Sequence, residues 1–423
     1  MREAIEAVVG NHSIYSARRQ EFDTGKKIPF RISPRPLYLS KEQKIDIQNI
    51  GSDISCYFHI VDEMYVNNMG GVRNILDTGK PQIFLADQLA HYLFARPDLI
   101  ITEGGFSICE VETSPFGLAL AEILNQAYQN KGFETMVDSG ALSEQVRQNT
   151  PIEGNIVYSK KTQAYSGQIT FLADKVFSGD GRHWESQDAD NITLQNNSNI
   201  YRGFYLNEYL SDPAIKILLD RQITNNDNTI PSPTPYMEEK AILSLIYDKR
   251  FEEYLRIKLG VASFKHLKTV IPPTWIVGQE QFFAPGMPNN ISSSIELANL
   301  SKSKRAYVLK SSGFSENSSW KEGVHFLQRE STEKTLQLLH EAETDKTGLH
   351  IVQEFKKGLN IPLNYESEDE KSEMPMTARI RLTPYFAVTN NGQDGKLIAI
   401  KATGCENTDF IHASSTSINT AVN

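Results

Sequence analysis

The sequence predicts a mixed fold, α+β in its larger body and α/β in a smaller inserted unit. Three observations lead there. An apolar hairpin is written into 98–112, where LIIT is followed by Glu-Gly-Gly and FSICEVE. Near residue 150 the pattern changes to short strand-like runs, NIVYSK, QITFLADKVF and NIYRGFYL, with the polar loop SGDGRHWESQDADNITLQNNSN between two of them. A Pro-rich linker, TIPSPTPYM at 229–237, then forces extended backbone before a last α/β stretch. These breaks divide the 423 residues into 1–150, a small α/β unit at 151–228, and 229–423.

Composition narrows the function. Hydrophobic residues at 39% and charged residues at 22% suit a globular chain with a packed core. The net charge of −9 argues against nucleic acid or an anionic membrane surface as partner, so polyphosphate binding would need locally placed lysines, arginines and N–H groups. Cys56, Cys109 and Cys405 are odd in number and too widely spaced for a metal knuckle, which favours a reducing compartment. The segment MREAIEAVVGNH is acidic and helical in pattern, unlike a signal peptide. No run of about 18 apolar residues occurs. A soluble cytoplasmic protein is expected, with homodimerisation left open.

Taken in order, KEQKIDIQNI and ADQLAHYLFA have helical periodicity, the 98–112 hairpin follows, and LALAEILNQAYQNKGF is a helix ending at Gly132. Beyond the linker, MEEKAILSLIYDKRFEEYLRIKLG reads as one long amphipathic helical stretch. Strands are expected at PPTWIV, AYVLK, GLHIVQEF and ARIRLTPYFAV, and NYESEDEKSEMPM as a solvated loop.

The hairpin carries the first chemistry. Residues two apart on a strand share a face, so Arg96 goes with Asp98 and Glu110 with Glu112. A three-residue loop, Glu103-Gly104-Gly105, would pair Thr102 with Phe106, Asp98 with Glu110 and Arg96 with Glu112. Three carboxylates so placed repel by more than one arginine cancels, and Mg²⁺ completed by substrate phosphates would relieve them. The plainer alternative is a solvated face with cross-strand ion pairs. A second constellation sits in RAYVLKSSGFSENSSWKEGVHF, where a strand ends at Lys310 and opens into a Ser/Gly/Asn-rich loop, 311–323. An ammonium beside loop N–H and hydroxyl groups suits ATP phosphates; an ordinary surface hairpin is the alternative. Arg379 and Arg381 share a strand face and could stabilise a transferring phosphoryl group. Ser114 reads as a turn residue, the histidines have no metal spacing, and Arg202 and Glu406 are each either ligand contacts or surface groups.

Together these residues resemble the ATP-grasp superfamily in its circularly permuted form, as in eukaryotic-type glutathione synthetase and the synthetase part of glutathionylspermidine synthase. Arg96 and Asp98 match that family's Arg-x-Asp pair, and Glu110 and Glu112 its Glu-x-Asn. The resemblance implies Lys240 as a first ATP-binding lysine and Lys310 as the second. It makes Ser311, Ser312 and Gly313 part of the lid, and Gln353 and Glu354 the adenine hinge. The segment KLIAIKATGCENTDFIHASSTSI corresponds to the family's closing segment. Glu112 departs from the family's asparagine, the lid is Ser-rich, and residues 1–95 match nothing in the family, although Arg31, Arg35 and Arg73 could reach a substrate.

The implied activity is ADP-forming ligation of a carboxylate to an amine through an acyl phosphate. Asp98, Glu110 and Glu112 would hold Mg²⁺, Lys240 and Lys310 would hold ATP, and Arg96, Arg379 and Arg381 would act in catalysis. The partners would be small-molecule or peptide carboxylates and amines. A nucleotide-binding regulatory or scaffold module that kept the fold without ligase chemistry is the alternative, motivated by Glu112 and the lid.

Overall fold

A computed structural model describes the chain except residues 16–26, 86–88, 193–197, 226–227, 279–290, 292, 316–317, 319–322, 368–371 and 389–394. Its strands, numbered β1 to β15 along the chain, form three sheets. The largest runs β1 (Arg31–Ile32), β15 (Ile418–Thr420), β14 (Leu397–Glu406), β13 (Glu373–Ala387), β2 (Phe94–Thr102), β3 (Gly105–Glu112), and β12 (Asn360–Glu366) pairs with the outer half of β13. Its pairings are antiparallel except β1 with β15. A second, antiparallel sheet runs β10 (Val324–Phe326), β9 (Tyr307–Ser311), β11 (His350–Glu354), β8 (Thr274–Ile276). The third is parallel, in the order β5 (His183–Asp188), β4 (Glu153–Tyr158), β6 (Ile200–Gly203), β7 (Thr229–Ile230).

Alternation along the large sheet divides its two faces. On one face Leu99, Ile101, Ile380, Leu382 and Ala402 meet the helix Lys41–Val66 through Ile47, Ile50, Ile54 and Phe58 in the main core. That helix begins in a full capping box, Ser40 with Gln43, which satisfies two donors that helix starts leave bare. On the other face Phe94, Tyr385 and Ala399 are covered by the helix Leu118–Asn130. Two residues further along each strand, on this same face, come Arg96, Thr383 and Lys401, which line a cavity instead. The half-covered face creates the site. No helix among the described residues is long and apolar enough to cross a membrane.

Several local expectations change. QITFLADKVF is helical, Ser166–Leu172 continuing into a wider turn at Ala173–Phe177, because Ile169, Leu172, Ala173 and Val176 recur at helical spacing and are all buried. HWESQD, read as loop, is strand β5. MEEKAILSLIYDK is not one amphipathic helix: 3₁₀ turns at Pro235–Glu238 and Lys240–Tyr247 precede the helix Lys249–Leu259, which Asp248 caps. Lys240 through Ile246 are buried without interruption, so the segment has no solvent stripe for an α-helix to present. Part of ADQLAHYLFA lies outside the described residues, and Phe94 at its end already belongs to β2. The expected loop NYESEDEKSEMPM supplies the ends of β12 and β13, with 368–371 outside the described residues.

The helix Lys41–Val66 packs tightly at Gly51, where an added Cβ would lie 2.4 Å from the Phe386 ring and 2.5 Å from the Gly395 carbonyl oxygen. Gly51→Ala therefore sets a helix-propensity gain of about 1 kcal/mol against an overpacking cost of about 1–3 kcal/mol with backbone on the other side. A lower denaturation midpoint in urea or heat is expected. An unchanged or higher midpoint would contradict this contact.

Candidate functional site

The site starts with an irregularity in the β2–β3 hairpin. Thr102 pairs with Gly105, Ile101 with Phe106 and Leu99 with Ile108, so the turn is the two residues Glu103-Gly104 and not the three expected. Beyond Leu99 the register shifts by one. Asp98 then pairs with Glu110, Arg96 pairs with Glu112, and Cys109 is the extra residue. This β-bulge breaks strict alternation. Phe106, Ile108 and Val111 all enter the core, whereas Ser107, Cys109, Glu110 and Glu112 line the cavity. The four charged positions meet as expected, but through a bulge that compensates for the shorter turn.

The charges at this patch are more evenly matched than three carboxylates and one arginine. Arg96 reaches Glu112 at 2.6 Å and Asp98 at 3.6 Å, and donates to the Phe116 carbonyl at 3.0 Å. Arg381 reaches Asp98 at 3.0 Å, and Lys240 reaches Glu110 at 2.8 Å. Each carboxylate is thus answered by a cation from a different element, and no group of three potential metal ligands forms among the described residues. Repulsion does not by itself demand a metal here. Burial would raise the Asp98 carboxyl, but Arg381, Arg96 and Lys401 outweigh it and hold it below the usual range. Glu112 goes the other way, pushed up by burial more than Arg96 pulls it down, with Glu110 and Asp98 adding to the rise. Ser114, the turn residue after β3, donates to Glu112 at 3.0 Å.

Tested against Mg²⁺, the residues divide. Asp98 is only 2% exposed and is engaged by two guanidinium groups, which makes it an anchor for arginines. Glu110 and Glu112 are half-buried, two apart on one strand, and fit the one or two carboxylates that hold Mg²⁺ when phosphates complete its shell. Arg96 Nε and Asp98 Oδ1 face each other at 3.6 Å without closing a hydrogen bond, and Arg381 Nε has no hydrogen-bond partner. A buried donor left so is uncommon, and a ligand oxygen is one group that can answer it.

Lys240 and Lys310, far apart in sequence, line the same cavity of about 540 Å³. That volume lies within the roughly 300–1,000 Å³ of small-molecule sites. Besides Glu110, Lys240 donates to the Ser318 carbonyl at 2.8 Å. It is thus held by a carboxylate and a carbonyl together. Lys310 donates to Gln353 and to the carbonyl of Cys109, each at 2.7 Å, and burial lowers its pKa. Gln353 in turn donates to Thr274 at 3.0 Å, and Glu354 lines the cavity beside Lys356 at 2.7 Å.

Ser311, Ser312 and Gly313 do not line the cavity. Ser312 bonds Glu239 and accepts from the Ala241 N–H at 3.1 Å, and a Cβ at Gly313 would lie 1.9 Å from the Glu238 carbonyl oxygen. They fasten the root of the 311–323 loop, of which 316–317 and 319–322 lie outside the described residues. Glu239 also closes a fully buried ion pair with Lys80 at 2.7 Å and accepts from the Phe314 N–H at 3.1 Å.

Arg379 lines the cavity but is paired with Asp409. Arg202, left open between ligand contact and exposed strand residue, is neither: it is buried and holds Glu238 at 2.5 Å. Glu406, Arg31, Arg35 and Arg73 lie away from the cavity lining. Sequence reasoning missed Lys401, which donates to Thr403 at 3.0 Å and whose pKa burial, with Arg381 beside it, lowers to about 7. It also missed the aromatic residues Tyr15, Phe116, Tyr165 and Tyr205 at one end of the cavity. Lys401 had one available signal, a lone cation in the apolar run LIAIKATG.

No protein-family model matches the chain, and no curated protein matches it either. Among solved structures, a putative gamma-glutamylcysteine synthetase from Methylobacillus flagellatus covers 84% of this chain and 84% of its own at 11% identity and a TM-score of 0.41, too distant to bear on the fold. A glutathione synthetase-like effector from Globodera pallida, in its apo form, covers 93% of this chain and 90% of its own at 12% identity and a TM-score of 0.51. Across nearly its whole length, the chain shares the fold of that glutathione synthetase-like protein.

Proposed function

We propose that the protein is an ATP-dependent carboxylate–amine ligase, ADP-forming, built as a circularly permuted ATP-grasp enzyme and acting in the cytoplasm. The observation that carries the reading is the convergence of Lys240 and Lys310, from different elements, on a cavity that also holds Glu110, Glu112, Arg96 and Arg381. In this reading 1–150 brings the hairpin, 151–228 the substrate unit, and 229–423 the ATP-binding part with its 311–323 lid.

Each residue's work follows from its charge and surroundings. Lys310 and Lys240 place ammonium groups where phosphates would lie, and Gln353 fixes the direction of Lys310. Glu110 and Glu112 are the carboxylates that would hold Mg²⁺. Bound Mg²⁺-ATP would supply the phosphoryl group that activates a carboxylate as an acyl phosphate, from which an amine displaces phosphate. Asp98 orients Arg96 and Arg381, whose planar forks hold two oxygens at once and stabilise charge on a transferring group. Positioning and neutralisation are most of what phosphoryl transfer requires. The decisive assay screens carboxylic acids with hydroxylamine as the amine, reading hydroxamate and ADP together. Acid-dependent release of both supports the ligase; ATP binding without it leaves a nucleotide-binding module.

Arg96→Lys keeps a positive charge but loses the fork that spans Glu112, Asp98 and the Phe116 carbonyl. Near-normal ATP affinity with turnover reduced by about a hundredfold or more is expected, comparable to removing one preorganised donor. Full acid-dependent ADP release by the variant would refute the role.

Lys310 gives a pH signature. Burial lowers its pKa, Lys240 adds to the fall, and Cys109, Glu110 and Asp98 oppose it. Only the protonated amine attracts phosphate, so ATP affinity should fall with rising pH at values below the ordinary lysine value of 10.5. Lys310→Arg stays charged throughout and should abolish that alkaline limb in calorimetry. Persistence of the limb in the variant would assign it to another group.

A further inference from the structure

The parallel sheet has the order β5-β4-β6-β7, so the chain leaves β4 toward one side for β5 and returns on the other side for β6. In open parallel sheets, ligands bind outside the carboxyl ends of the strands at such a reversal. Here that crevice lies between the segments after β4 and β6. The first carries Tyr165 and the second Tyr205, and both line the cavity. Phe116, from the turn after β3, completes the wall: its ring centroid is 5.0 Å from Tyr165 and 4.8 Å from Tyr205. Tyr15 adds a further ring 5.7 Å from Tyr165.

The wall is joined directly to the charged patch. The Phe116 carbonyl accepts from Arg96 at 3.0 Å and from the Tyr385 hydroxyl at 2.8 Å. Next to it Gly117 has φ +82°, and a Cβ there would approach Lys401 Cε to 3.3 Å and the Tyr385 hydroxyl to 3.1 Å. Glycine therefore leaves the passage between the aromatic wall and Lys401 uncrowded. Burial, with Glu112 nearby, holds the Tyr205 phenol well above its ordinary value, so the ring stays neutral. Arg202 is turned to Glu238, and Lys161 Nζ stands 5.9 Å from the centroid of the Tyr205 ring.

We infer that the carboxylate substrate bears an aromatic or bulky apolar group, which packs against Tyr165, Tyr205, Phe116 and Tyr15 while its carboxylate meets Arg96 and Lys401. Charge fixes the orientation: the cations stand where wall and patch meet, and rings wall the far side. The inference rests on the ligase reading for its naming of the carboxylate as substrate. Its binding geometry is testable without turnover.

Calorimetry or saturation-transfer NMR on the full chain should show 3-phenylpropanoate binding about tenfold or more tighter than propanoate, as burial of a phenyl group requires. Tyr165 and Tyr205 are only partly buried, so Tyr165→Ala and Tyr205→Ala should fold, as checked by circular dichroism, and reduce the preference to within about twofold. Tyr165→Phe should keep it, since only the ring is required. Equal affinity for the two acids in the wild type, or an undiminished preference in both alanine variants, overturns the inference. The hydroxamate assay separates it from the parent reading. Aryl-acid binding lost in the variants, without ADP release from any acid, would leave the subsite standing and remove the ligase. ADP release that is indifferent to the aryl group would do the reverse.

Discussion

One extra residue in a hairpin organises the candidate site. Cys109 interrupts the β2–β3 ladder, and without it strict alternation would place Glu110 and Glu112 on the same face as Ile108, inside the apolar core. The bulge moves them onto the face that carries Arg96 and Asp98. It also turns the carbonyl of Cys109 toward the second sheet, where Lys310 occupies it. A single local shift thus sets the carboxylates and ties the two sheets together at the lysine, and bulges commonly re-aim side chains in this way.

The electrostatic frame follows from that placement. Asp98 is the buried anion around which Arg96 and Arg381 are fixed, and Glu110 and Glu112 receive Lys240 and Arg96. Removing Asp98 would leave Arg381 buried without its carboxylate, so this anion holds the set in place regardless of its net contribution to stability. Lys401, on the same face, completes the set, with burial lowering its pKa to about 7.

The sequence disclosed the part of this that obeys a period. Charges two apart on an apolar strand announce a shared face, and the Lys310 strand ending in a polar loop was equally visible. The bulge was not, because Cys109 is not a residue that marks irregular backbone, and a turn shortened by one residue then cancelled against it. Lys240 was found by its order in the chain, yet its surroundings were misread. A two-faced helix was expected where a segment buried on all sides forms 3₁₀ turns instead. Tyr15, Phe116, Tyr165 and Tyr205 come from separate parts of the chain, and no spacing rule connects them. Nor could the sequence distinguish Arg202 as a buried tie to Glu238 from Arg202 as a ligand contact.

The Lys80–Glu239 pair has a consequence of another kind. Its two side chains are 1% exposed, and Glu239 fastens the root of the 311–323 loop beside Lys240. Dissolved ions screen charges that face solvent, over about 8 Å at physiological ionic strength, but have little access to a pair sealed from water. Surface contacts such as Arg256–Glu253 weaken as salt is added. The fastening beside Lys240 does not, so the backbone that carries Lys240 is insulated from changes in the salt content of its surroundings.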